Sequence, residues 1–178
     1  MTKLYQVIIG MTLSLVLNPV YAGTAVLGFE IGVSTLEQVN SSLSEKTTTQ
    51  DGGINKYSNG PMLKTDGNSY EIDGLNEVLY IFDDQRKLMG VIMTMHKDRF
   101  DSIYSFIAKK YKVFSQERPF VGDKSAQFKA ADSIIEINAP HLSFQMKVSY
   151  IRNDLMQKFN NQSKVDTETK KKSEAGNF

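Results

Sequence analysis

The sequence predicts an α+β fold with a largely antiparallel sheet, and three observations carry that expectation. Runs of strand length that alternate or are apolar on both faces recur along the chain. Two amphipathic segments of helix length each precede a group of such runs, and Asp, Asn, Gly and Pro turn signals separate the runs. The order, helix then strands and helix then strands, reads as two helix-plus-meander halves followed by a short C-terminal helix.

Fold reasoning begins at Gly23, because residues 1–22 have the pattern of a secretory signal peptide. Lys3 supplies the basic start, Val7 to Leu17 the apolar run, Asn18 and Pro19 the break, and Val20, Tyr21 and Ala22 the small-residue exit. The apolar run is too short for a membrane span, which needs roughly 20 apolar residues. Cleavage after Ala22 leaves a chain expected in the periplasm or secreted, with no transmembrane segment.

Ala25 to Glu30 predicts a first strand or extended arm. Ser34 with Glu37 three residues later is a capping-box pattern, and Leu36, Val39 and Leu43 recur at helical spacing, so a helix is expected from Thr35 to Ser44. Between Lys46 and Asp73 the turn signals Asp51-Gly52-Gly53, Asn59-Gly60-Pro61 and Asp66-Gly67-Asn68 leave room only for short strands or a surface loop. Glu77 to Phe82 and Leu88 to Met95, apolar on both faces and joined by Asp83 to Lys87, predict a central hairpin.

Asp98 is placed to cap a second helix bearing Phe100, Ile103, Ile107 and Tyr111 on one face. Lys109, Lys110 and Lys112 then suit the negative end of its dipole. Four strands follow: Val113 to Arg118, Ala126 to Ala130, Ile134 to Asn138 and Leu142 to Tyr150. The last is the purest alternation in the chain, with Leu142, Phe144, Met146, Val148 and Tyr150 expected inward. Ile151, Leu155 and Phe159 continue as a short helix, which ends a single domain over residues 23–159. Residues 160–178 contain only Val165 and Phe178 as large apolar side chains, and are expected to be a disordered polar tail.

Composition narrows the function. The 178 residues include no cysteine and two histidines, which excludes disulfides, thiol nucleophiles, zinc-thiolate and iron–sulfur sites, and a cysteine-linked lipid anchor. Removing residues 1–22 takes away one lysine and no acid, so 156 residues remain with 20 basic and 20 acidic side chains. That balance argues against nucleic acid as a partner, since phosphate binding needs clustered cations.

The segment IGVSTLEQVNSSL, through Gly32, Ser34, Val39 and Leu43, resembles the first-helix motif of the small outer-membrane assembly lipoproteins and of the β-lactamase inhibitor protein fold. The resemblance implies an α/β meander scaffold that binds other proteins. This chain departs from the lipoproteins in lacking the anchoring cysteine, and from the inhibitor in lacking its cysteines.

No catalytic or metal-ligating constellation is expected, and no cofactor. His96 and His141 stand apart from any nucleophile or ligand motif. Asp83 and Asp84 read as turn formers, and the Asp, Asn and Gly clusters between Asp51 and Gly74 lack calcium-loop spacing. The methionines are more informative, because thioethers suit adaptable surfaces. Met89, Met93 and Met95, with Leu79 and Ile81, are the candidate platform for a protein partner. The leading functional expectation is therefore a non-enzymatic protein-binding module: an inhibitor, immunity or envelope assembly factor. The alternative is a periplasmic hydrolase or small-ligand-binding protein using carboxylates and tyrosines of residues 51–80.

Overall fold

A computed structural model describes residues 23–176; the expected signal peptide, Asn177 and Phe178 lie outside the described residues. The arm at the start is a small hairpin, β1 (Ala25–Val26) and β2 (Phe29–Glu30), which leads into α1 (Leu36–Ser44). Strands β3 (Thr49–Ile54), β4 (Asn59–Asp66), β5 (Leu75–Asp83) and β6 (Leu88–His96) follow. The second half repeats the order with α2 (Phe100–Ala108), β7 (Lys112–Glu117), β8 (Lys124–Lys129), β9 (Ser133–Ala139) and β10 (Gln145–Arg152), and α3 (Asn153–Ala175) ends the chain.

The fold is α+β, as expected. Strands β3 to β10 make one antiparallel sheet in the order β3-β4-β5-β6-β10-β9-β8-β7. Each half is a helix and a four-strand meander, and the final strands of the two halves meet at the centre. Their register runs from Gln145 opposite His96 to Ile151 opposite Gly90.

Helices α1 and α2 cover one face, called inner below. Val39 and Leu43 of α1 and Phe100 and Ile107 of α2 share one core with the inward side chains of the sheet. The α1 cap is shifted by one residue from the expected pair. Thr35 Oγ1 accepts from the Gln38 amide at 3.3 Å and Gln38 Oε1 accepts from the Thr35 amide at 2.9 Å, a reciprocal capping box. Ser34 instead accepts the Glu30 amide at 2.9 Å, closing the turn before the helix. Asp98 does not cap α2. It lies in a single 3₁₀ turn, Lys97–Arg99, that carries the chain from β6 into the helix, and the N-cap position is Arg99 without a side-chain cap.

Residues 46–73 are more regular than their turn signals imply. Asp51-Gly52-Gly53 forms a bulge inside β3, and Asn59-Gly60-Pro61 opens β4 instead of breaking the chain. Gly60 is required there by space: a Cβ would collide with the backbone carbonyl oxygens of Phe82 and Asp83 on β5. In β10, Met146, Val148 and Tyr150 point inward as the alternation predicts. Leu142 and Phe144 do not. The strand begins only at Gln145, after a turn in which the Ser143 amide donates to the Pro140 carbonyl, and both side chains are 95 % exposed.

The C-terminal helix is longer than expected: it continues through Ala175 over most of the segment read as a disordered tail. Only its first two turns touch the sheet. Beyond Phe159 its side chains are almost all exposed; Asp166 pairs with Lys56 of the β3–β4 turn at 3.9 Å, and two contacts at the i,i+4 spacing support it locally, Gln162 Nε2 to Asp166 Oδ1 at 2.8 Å and Lys170 to Glu174 at 3.9 Å. Lys, Glu and Gln have good helix propensity, so a segment with no core to join still takes this conformation.

The Asp132 carboxylate ties the N-terminal arm to the turn between β8 and β9. Thr24 Oγ1 donates to Asp132 Oδ1 at 2.7 Å and Ser133 Oγ to the same oxygen at 3.0 Å. Burial opposes the charge, but these hydrogen bonds outweigh it and hold the Asp132 carboxyl below its ordinary value of 3.8.

Replacing Gly60 by Ala should cost about 3 kcal/mol, because backbone on a neighbouring strand must move to admit the methyl group; urea denaturation measures this. For Asp132 the depressed value gives a definite sign. Its contribution is complete above pH 3.8 and is lost as pH falls through the lower folded value. Asp132→Asn should therefore be less stable than the parent at neutral pH and should show a shallower acid limb in thermal midpoint against pH.

Candidate functional site

On the outer face of the sheet, opposite α1 and α2, the cover is partial. Leu155 of α3 packs with Ile81, Met89 and Ile151 in a second, smaller apolar cluster. Phe159 meets the edge of Tyr57 in the turn between β3 and β4, with centroids 5.1 Å apart at 75°. From that contact a groove of about 840 Å³ runs along the strands to the loop at residues 140–144. Its floor is apolar beside α3, with Ile92, Ile134 and Ile151. Toward the loop it turns polar, with Thr94, Asn138 and Lys147.

This surface is a product of two central strands, β5 and β6, that are apolar on both faces, beside β10, whose outward side chains are Gln145, Lys147, Ser149 and Ile151. β5, β6 and β10 each contribute one set of side chains inward and a second set outward. The inward set fills the main core, and the outward set has only α3 to cover it. The face is therefore half closed.

The five residues of the expected platform are divided between the faces. Met93 and Met95 point inward, buried in the main core against the helices. Met89 and Ile81 lie outward beneath α3, with Leu79 partly buried beside them. Strict alternation would keep Met89, Met93 and Met95 together. A bulge breaks it: Ile81 pairs with Gly90 while Phe82 pairs with Leu88, so Met89 is an extra residue on β6 and the side-chain phase reverses there. The surface that remains outward is Leu79, Ile81 and Met89 joined by Ile92, Ile134 and Ile151. The last three escaped the methionine argument, although the doubly apolar run that contains Ile92 signalled a second buried face.

The carboxylates of residues 51–80 do not converge. Asp51 accepts the Gly53 amide at 2.7 Å, Asp66 the Asn68 amide at 2.8 Å, and Asp73 pairs with Arg99 at 2.9 Å. Each serves its own turn or a neighbouring loop. Among the described residues no group of three or more His, Asp or Glu is placed to hold a metal ion. Asp83 acts as a turn former, accepting the Lys87 amide at 2.7 Å. His96 is exposed at the end of β6, and His141 is exposed in the next loop over.

The tyrosines of that region are structural as well. Thr65, Tyr70 and Tyr80 form a hydroxyl chain, with contacts of 2.6 and 2.9 Å. Burial, then the Tyr70 hydrogen bond, lifts the Tyr80 hydroxyl far above its ordinary value. On the same inner side burial, with Tyr111 adding, pushes Tyr150 up to about 12. Both hydroxyls stay protonated at neutral pH, so neither offers a phenolate for chemistry.

Among the described residues no helix is long and apolar enough to cross a membrane. No family model, curated protein or solved structure matches this chain.

The attachment of α3 rests on few side chains, and Leu155 is the one buried most completely. Leu155→Ala should weaken that attachment by about 2 kcal/mol, the low end for a leucine at the margin of a small cluster. Amide exchange in the first turns of α3 should rise about 30-fold. Amides of β6 and β10 should keep their protection, because the inner core is untouched.

Proposed function

We propose that this chain is an exported, non-enzymatic protein-binding module of the inhibitor, immunity or assembly-factor kind, working in the periplasm or outside the cell. Its partner sits in the groove on the outer sheet face. The observation that carries this reading is the open groove itself, with an apolar floor at one end and a polar one at the other. Protein interfaces likewise combine apolar and polar surface. The resemblance of the first helix to the outer-membrane assembly lipoproteins and the β-lactamase inhibitor protein points in the same direction. The five-residue platform is redrawn accordingly: Ile81 lines the α3 end of the groove, Met89 and Leu79 pack in the small cluster with α3 beside it, and Met93 and Met95 lie in the inner core.

One feature favours a smaller occupant. A volume of about 840 Å³ lies within the range of roughly 300–1,000 Å³ usual for small-molecule sites. Of the residues named for that reading, Tyr57 lines the groove, whereas the carboxylates of 51–80 do not. The small-ligand reading therefore survives only as binding through apolar and neutral polar groups.

A photo-crosslinking side chain placed at Ser149, on the groove floor, should trap a discrete protein in exporting cells. The same group at Glu45, exposed at the end of α1 on the opposite side, should trap none. Equal labelling from both positions, or none from Ser149, would sink the protein-binding reading. A thermal shift with small molecules and no crosslink would support the smaller occupant.

A further inference from the structure

The end of the sheet formed by the β7–β8 and β9–β10 loops carries an unusual set of side chains. Phe120 is 102 % exposed, Leu142 and Phe144 are each 95 % exposed, and Val121 beside them is 67 % exposed. Large apolar groups held this far into water are uncommon on a protein with nothing to place them against. The aromatic residues in the turns at the opposite end are packed on the fold instead, Tyr57 against Phe159 and Tyr111 against Tyr150.

These tips are held in place. The His141 amide donates to Asp123 Oδ1 at 2.6 Å, tying one loop to the other. Lys97 Nζ donates to the carbonyls of Pro140 and His141, the latter at 2.9 Å, and its amide donates to the Phe144 carbonyl at 2.9 Å. Lys124 lies between the tips, lining both the hollow beside Phe120 and the one beside Phe144. Two short loops thus present three fully exposed apolar side chains from a fixed frame.

We propose that this end of the molecule enters the interfacial region of a phospholipid bilayer, with Phe120, Leu142 and Phe144 as the inserting side chains. The shape argues for a soft partner. Separate prominences cannot all be buried against a flat protein surface, whereas lipid closes around each one. Four side chains on two loop tips fall short of the ~800 Å² per partner that a stable protein interface buries, which argues against a second copy. Insertion into lipid scales with the apolar area buried and requires no matching protein surface.

The charges around the tips say which bilayer. Arg118 pairs with Asp101 at 2.6 Å and Arg99 with Asp73 at 2.9 Å. Asp123 serves the His141 amide, and Lys97 serves two carbonyls. Asp98, Glu117 and Lys124 complete the collar, so cations and carboxylates are nearly balanced and no basic patch is present to draw anionic lipid. Binding is therefore driven by apolar insertion, works on zwitterionic lipid and depends little on salt.

The test uses the chain from Gly23 onward, which holds every element of the described fold and lacks the apolar leader that would bind vesicles by itself. It should float with phosphatidylcholine vesicles, and adding phosphatidylglycerol or raising the salt should change little. Phe120→Ser, Leu142→Ser and Phe144→Ser should each lower the partition constant about tenfold, the effect of losing one buried apolar side chain. All three are outside the core, so their thermal midpoints should match the parent. A second measurement exploits the absence of tryptophan: Phe144→Trp supplies a single probe, whose emission should shift to the blue on adding vesicles. The proposal is overturned by failure to float with either lipid together with no spectral shift. It is equally overturned by binding that requires phosphatidylglycerol and survives the serine changes. Concentration-dependent self-association abolished by the same changes, or a protein trapped through these tips without any vesicle binding, would assign the surface to another partner and end the lipid reading. None of these outcomes bears on the groove, whose crosslinking test is separate.

Discussion

The pairing of β6 with β10 is the contact on which the rest of the structure depends. Seven residue pairs, from Gln145–His96 to Ile151–Gly90, join two four-strand meanders into one sheet. Left unpaired, each meander would end on a long strand, β6 apolar on both faces and β10 on one, the kind of edge that recruits other chains. Joined, those strands become the centre of the sheet, and the edges fall to β3 and β7. Both edge strands are interrupted by bulges, β3 between Asp51 and Ile54 and β7 between Val113 and Ser115. Both are also mostly exposed and polar. The seam thus places the apolar strands where neighbours cover them and leaves protected strands outside.

The same seam creates the outer groove. Two helices are enough to cover the inner face, one from each half, but nothing in the repeated plan covers the outer face. The chain continues past β10 into α3, and the first two turns of that helix cover the apolar end of the outer surface with Leu155 and Phe159. What stays open is the part whose floor is partly polar. A surface of this kind tolerates water and can also receive a partner, which is why the groove and not the core bears the functional argument.

Much of the architecture was legible along the chain. The succession of helices and strands along the chain, the hairpin through Asp83 to Lys87, the inward set Met146, Val148 and Tyr150, and the division into two halves all follow from periodicity and turn chemistry. Failures cluster where one residue changes the phase. An extra residue at Met89 sends the methionines of β6 to opposite faces. A turn at Pro140 stops β10 two alternation steps early and leaves Leu142 and Phe144 in solvent. Thr35 and not Ser34 caps α1, because Ser34 is already engaged with Glu30. Each is a competition between nearly equal local options, decided by a contact distant in sequence or by a backbone detail.

The sequence by itself determined the class of fold, the doubly apolar strands and the chemistries closed to a chain without cysteine, because these depend on residue type and local period. Only the tertiary structure decided which apolar face was covered, which methionines were buried and which apolar side chains were left in water. Those outcomes depend on strand order, on single-residue bulges and on where α3 comes to rest. A linear pattern records that a side chain is apolar, but its covering partner is supplied by elements far away along the chain.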